Sequence, residues 1–242
     1  MIKLQRSEKP EFLTDEKVKE LTDKFKANNN DDVWKQDCIH KALLLSSASK
    51  CAYCEIKVQV KSTYMEIEHF KDKSHFPDDV VEWLNLLPSC KRCNTTKSTH
   101  NVVTNPIINP FDIDPKDHLT QSAFRLYFKT DLGEETRDTL NLNDTKLTKP
   151  RAAVWDYVVD KIEELHRDII PKQKITKHDR NKLSRLMVSC QADQAFSAFS
   201  ATALHQSNEY LEIIAALKRS NQWDEQMEIL HRESLRLVLD KR

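Results

Sequence analysis

Cys51-Ala52-Tyr53-Cys54 and Cys90-Lys91-Arg92-Cys93 hold four of the six cysteines of this 242-residue chain in two Cys-x-x-Cys pairs. Each pair sets two thiolates on one tight turn, and two such turns brought together supply the tetrahedral sulfur cage that Zn2+ takes in structural sites. Four protein ligands leave no open position, so such a metal staples and does not catalyse. The competing readings are an iron–sulfur cluster, a redox pair or four ordinary buried cysteines, but a lone redox motif has no reason to be duplicated. Cys38 and Cys190 fall outside the pattern and read as free buried thiols. Residues 55–89 exceed the about 15 to 20 residues of simple four-cysteine ribbons. The staple therefore closes over an insertion, and chemistry is expected there.

The first part of the insertion is Glu66-Ile67-Glu68-His69, closing a short β-like run from Tyr64 to His69. Its last part, Trp83-Leu84-Asn85-Leu86-Leu87-Pro88, runs into the second cysteine pair and then Asn94-Thr95-Thr96-Lys97. Alone, an acid beside a histidine usually marks a solvated strand end. In this order, with acid-His after one Cys-x-x-Cys and Asn-Leu before a second that is followed by Asn and Lys, the chain resembles the HNH nucleases. The resemblance sets His69 on the first histidine and Asn85 on the middle asparagine. Asn94 stands where the second histidine is usual, and Glu68 where aspartate is more common.

That resemblance implies a zinc-stapled ββα-metal module that hydrolyses phosphodiester bonds. His69 is then the general base, since a neutral imidazole is suited to take a water's proton at neutral pH. By the same resemblance Glu68 and Asn94 hold one hard divalent cation, Mg2+ or Mn2+, and Asn85 has a positional role, tying the two sides of the loop together. Lys91, Arg92 and Lys97 are candidate contacts to substrate phosphates; the alternative is solvated side chains on a zinc knuckle. His75 and His100 flank the motif and read as bystanders.

The resemblance extends further. The run Ile67-Glu68-His69-Phe70-Lys71-x-Lys73-Ser74, then Trp83-x-Asn85-Leu86-Leu87, looks like the PtuB family, the HNH subunits of Septu-type anti-phage systems, including those that accompany retrons. Asn109-Pro110, Asp114-Pro115, His118-Leu119 and Leu142-Asn143 with Arg151 also look like that family. It implies a nuclease component of a bacterial antiviral defence system, acting with and gated by a PtuA-type ATPase. In retron forms a reverse transcriptase with its RNA–DNA hybrid joins them.

Composition limits the function independently. A single glycine, Gly133, excludes P-loops and GxGxxG cradles, so nucleotide-driven energy must come from another chain. Lys+Arg and Asp+Glu are both 38, which gives no global basic field to concentrate nucleic acid. Any nucleic-acid affinity is local or borrowed. A zinc-stapled non-catalytic adaptor for nucleic acid or protein is the alternative of another class, whereas a zinc-finger transcription factor is disfavoured because the second pair lacks a basic recognition helix. Met1 to Phe12 carries charges without an apolar core, and apolar runs stay short, so a cytoplasmic protein is expected.

Around the motif, Val18, Leu21 and Phe25 form one stripe of a helix between Thr14 and Asn28, and a second helix is expected over Val33 to Leu45. Residues 1–45 are then an N-terminal helical segment and 46–105 the nuclease module. Residues 106–149, rich in prolines and acids, read as an extended connection with a short strand near Phe124–Phe128 and Gly133 in the following turn. Residues 150–242 read as a helical, partner-binding region with stripes at Val154–Leu165, Leu183–Cys190, Leu211–Leu217 and Trp223–Val238. Trp155, Phe196, Phe199 and Trp223 supply its surplus apolar surface, for a core or for a partner. His166, His178, His205 and His231 lack a ligand spacing and read as surface or packing histidines. The expected fold class is mainly α, with a small zinc-stapled ββα-metal module and a helical C-terminal region.

Overall fold

The computed structural model describes residues 1–58, 64–172 and 175–242, and divides into two units. It contains nine α-helices among the described residues, with few strands. The first unit takes in Lys3–His118 and Phe128–Leu142, the second Leu119–Tyr127 and Asn143–Arg242.

In the first unit, α1 spans Asp15–Ala27, with the Thr14 side chain accepting from the Lys17 amide as its N-cap and Leu21 and Phe25 buried. α2 spans Asp37–Ser46, starting four residues later than the apolar pattern suggested. Val33 and Trp34 are both buried while still in a turn, so they are apolar for tertiary reasons and not for a helical stripe. β1 (Met65–His69) and β2 (Leu86–Cys90) pair antiparallel, Met65 opposite Cys90 and His69 opposite Leu86. α3 (Lys91–Lys97) follows β2 directly with Cys90 as its N-cap residue. The order is strand, long loop, strand, helix.

An N-terminal arm fixes that loop. The Arg6 guanidinium donates to the carbonyls of Trp83, Leu84 and Leu86 at 2.8–3.1 Å and stacks over Phe111 at 4.0 Å. It clamps the turn carrying Asn85.

Residues 106–149 contain more regular structure than an extended connection. β3 (Leu119–Ser122) pairs with β4 (Arg125–Phe128), and α4 spans Asp131–Thr139. Gly133 lies inside the first turn of α4, not in a loop. A Cβ there would stand 2.1 Å from the His118 carbonyl oxygen, which explains the glycine by close backbone approach.

In the second unit α5 spans Thr145–Ile169 and runs through Pro150, so the helix starts before that proline, capped by Asp144. α6 (Lys177–Ser189), α7 (Ser197–His205), α8 (Asn208–Arg219) and α9 (Glu225–Leu235) complete a bundle around Val158, Ile162, Leu186, Leu204, Ile213 and Met227. No helical stripe in the sequence marks α7. Eight of its nine residues are buried, and a helix apolar on every side shows no stripe. Phe196 and Phe199 are core residues, and Trp155 and Trp223 pack partly buried against the bundle. No helix among the described residues is long and apolar enough to cross a membrane.

Candidate active site

The four cysteines of the two pairs converge. Cys51 and Cys54 sit on the turn after α2, Cys90 ends β2 and Cys93 lies in the first turn of α3, with all four Sγ atoms within 4.8 Å of one another. Cys54 Sγ stands 3.7 Å from Cys90 Sγ, close to the about 3.8 Å edge of a tetrahedron with Zn–S bonds of about 2.3 Å. The donor set fits Zn2+. Burial opposes ionising Cys51, yet the neighbouring thiols donate to its sulfur and bring it well below its usual value. Cys54 is pushed well up, first by its hydrogen bond to Cys51. A divalent ion bound among the sulfurs would favour the thiolate of Cys54 that its neighbours and burial oppose. Cys190 is buried as expected, whereas Cys38 is only half-buried because it lies on α2 outside the core stripe of Ile39 and Leu43.

Side chains two apart on a strand share a face, and side chains three apart on a helix share another. Glu66 and Glu68 of β1 thus meet Asn94 and Lys97 of α3. Asn94 Nδ2 donates to Glu66 Oε2 at 2.7 Å, and Lys97 Nζ lies 2.7 Å from Glu68 Oε1 and donates to the His69 carbonyl at 2.9 Å. Glu68 and Lys97 are each 2% exposed. Burial outweighs the lysine's attraction and pushes the Glu68 carboxyl up to about 7, and Oε1 has no well-aligned hydrogen-bond donor despite the ion pair.

His69 projects to the other face. Its Nε2 stands 2.9 Å from the Val80 carbonyl oxygen. A carbonyl only accepts, so Nε2 carries the proton and Nδ1 keeps its lone pair. Burial pushes the imidazole down to about 4, which keeps it neutral at neutral pH. Asn85 supports this arrangement from the far side of the loop: Oδ1 accepts from the Lys71 amide at 2.7 Å, while Nδ2 donates to the Lys71 and Asp79 carbonyls at 3.0 Å. Asp79 directly precedes Val80, so the amide holds the peptide next to the one that holds His69.

Glu66, Glu68, His69 and Asn94 line a cavity of about 610 Å3 that also includes Trp34, His40 and Lys73. Of the expected site residues, the structure brings Glu68, His69 and Asn94 to this cavity, with Asn85 behind it. The basic residues separate. Lys97 is buried in its ion pair with Glu68. The two terminal nitrogens of Arg92 donate to the Leu140 and Asn141 carbonyls at 3.2 and 2.6 Å. Lys91 remains exposed. Sequence reasoning missed Glu66, the more exposed acid of the pair; the period-two spacing to Glu68 was its signal. It also missed Trp34, whose contact with the site no local pattern encodes.

The HNH endonuclease family matches residues 51–100. Over 247 aligned residues the chain is 33% identical to Septu protein PtuB of Bacillus thuringiensis, covering 99% of this chain and 95% of that protein. Septu protein PtuB of Bacillus mycoides (strain KBAB4) is 29% identical over 198 residues, 64% of this chain and 67% of that protein. Protein ea31 of Escherichia phage lambda is 40% identical over 52 residues, 22% of this chain and 16% of that protein.

Proposed function

The chain belongs to the Septu PtuB family and carries an HNH endonuclease module at residues 51–100, and on that premise we propose that it is the nuclease component of an antiviral defence system, hydrolysing phosphodiester bonds with a divalent metal. The observation that carries this reading is the neutral His69, with Nε2–H given to Val80 and Nδ1 left as acceptor, in a cavity that Glu66, Glu68 and Asn94 also line.

In this mechanism His69 Nδ1 takes the proton of the attacking water. Asn85 keeps the loop of Asp79 and Val80 in place, so that the imidazole holds one tautomer. Glu68 and Asn94 would hold the cation, in a cavity that also presents Glu66, a second carboxylate beside Asn94. Hard cations such as Mg2+ take one or two carboxylates and complete their sphere with water and phosphate. When bound, the ion supplies positive charge at the phosphate and at the leaving oxygen. Cys51, Cys54, Cys90 and Cys93 hold a structural Zn2+, and Lys91 remains the candidate contact to a substrate phosphate.

With no nucleotide loop and no net charge, the chain acts with a partner. We take that partner to be a PtuA-type ATPase that holds the nuclease near substrate and gates it, joined in retron systems by a reverse transcriptase with its RNA–DNA hybrid. The test is cleavage of a panel of DNA and RNA by the full chain, with and without co-expressed ATPase, in Mg2+, Mn2+ or EDTA. Metal-dependent cleavage lost in His69→Ala supports the reading. One zinc per chain with no cleavage in either metal would instead leave the non-catalytic adaptor.

A further inference from the structure

A hydrogen bond at one corner does not fix the plane of an imidazole. The terminal torsion of histidine is broad, and Nε2 lies nearer the Cβ–Cγ rotation axis than Nδ1 does. A bond from Nε2 to a carbonyl, which accepts over a wide range of directions, therefore leaves Nδ1 free to swing. A wall is needed beside the ring. Trp34 is that wall. Its ring centroid stands 4.8 Å from that of His69 with the planes at 89°, the edge-to-face arrangement aromatic rings prefer. Trp34 is itself fixed: Phe25 meets it edge-on at 5.8 Å, the Lys73 ammonium lies 5.0 Å from its centroid, and it is 8% exposed. It sits in the turn before α2, outside the matched residues 51–100.

We infer that Trp34 is a positioning residue for His69, setting the imidazole plane so that Nδ1 faces the attacking water. This rests on the nuclease reading. A base-stacking platform for substrate is the other use of a tryptophan in such a cavity, but His69, Phe25 and Lys73 already occupy the indole's surroundings and little ring is open to a base.

Trp34→Leu keeps apolar bulk without a flat ring, and Trp34→Phe restores a ring. In the full chain, with cleavage measured on the best substrate of the panel, Trp34→Leu is expected to lower kcat by about 10- to 100-fold with KM within about twofold, and Trp34→Phe to recover most of the loss. Zinc content and helical circular dichroism confirm that both variants fold. In parallel, histidine-selective 15N NMR without substrate follows the Nε2–H signal of His69, assigned by its loss in His69→Ala. One protected signal in the wild type, broadened in Trp34→Leu and restored in Trp34→Phe, supports the inference even if no chain cuts nucleic acid, which would sink the nuclease reading separately. An unchanged signal with unchanged kcat, a raised KM at constant kcat, or a phenylalanine variant no better than leucine would overturn it.

Discussion

Lys97 and Glu68 face each other out of water, and the energetics of such a pair are asymmetric. Losing one partner strands the other charge and costs about 3–5 kcal/mol. Lys97→Met is therefore expected to lower the stability of the full chain by about that amount, read from denaturant unfolding. A variant of unchanged stability but weakened nucleic-acid binding would return Lys97 to the role of phosphate contact. His69 behaves differently. Removing a general base costs about 10²- to 10⁴-fold in rate and removes no zinc ligand, so His69→Ala should lose cleavage while metal content and helical signal stay at wild-type values. Normal cleavage by that variant would refute the assignment of His69. Both residues stood in the motif, yet only their environments separate them: one ammonium is sealed against a carboxylate, and one imidazole nitrogen is left open to the cavity.

At the scale of elements, the four-cysteine cage joins the turn after α2 to β2 and α3. Structural zinc contributes about 10–16 kcal/mol of apparent binding energy to folding. Cys51→Ser is expected to lose the metal and unfold the module, which hydrogen exchange would show as lost protection across residues 64–105 while α5–α9 remain protected. Retained zinc with unchanged protection would contradict it. α4 depends on steric room of another kind. Gly133→Ala drives a Cβ against the His118 carbonyl oxygen at 2.1 Å, a backbone atom that cannot turn aside, so overpacking should cost about 1–3 kcal/mol. A thermal midpoint equal to the wild type would show that the segment shifts freely. α4 was illegible in the sequence because its one diagnostic residue, glycine, ordinarily signals a turn. α7 was illegible because eight of its nine residues are buried, which leaves no polar face to mark a stripe.

At the scale of the molecule, the second unit carries a cluster of two histidines and a tyrosine. His205 donates to or accepts from Ser234 at 2.8 Å and lies 4.8 Å from His231 between ring centroids, while Tyr210 reaches His231 at 3.1 Å. Burial, then the neighbouring His231, pushes His205 from 6.5 down to about 4. The unfolded chain binds the proton more readily, so the stability from neutral His205 is complete above about pH 6.5 and falls as pH drops towards about 4. Unfolding midpoints measured across that window should fall, and His205→Gln should flatten the slope; an equal slope in the variant would place the acid sensitivity elsewhere. Over the whole chain, 38 basic and 38 acidic residues cancel, so the free protein is expected to bind nucleic acid at about 10⁻⁴–10⁻⁶ M at physiological salt. Nanomolar binding by the chain alone would show that no partner is needed to bring it to substrate.

The sequence by itself determined what depends on spacing along the chain. Two Cys-x-x-Cys turns marked the metal cage, Thr14 and the Val18–Phe25 stripe marked α1, and the ordered Glu68, His69, Asn85 and Asn94 marked the family. Local geometry, such as a tight turn or one strand end, is enough to place such groups. Only the tertiary structure decided what depends on neighbours distant in sequence: that Lys97 pairs with the buried Glu68, that Arg92 donates to the Leu140 and Asn141 carbonyls, that Glu66 meets Asn94, that His69 gives Nε2–H to Val80, and that Trp34 packs against its ring. The reason is physical. Desolvation and hydrogen-bond satisfaction are set by everything that surrounds a group, and in this chain those surroundings come from segments up to dozens of residues apart.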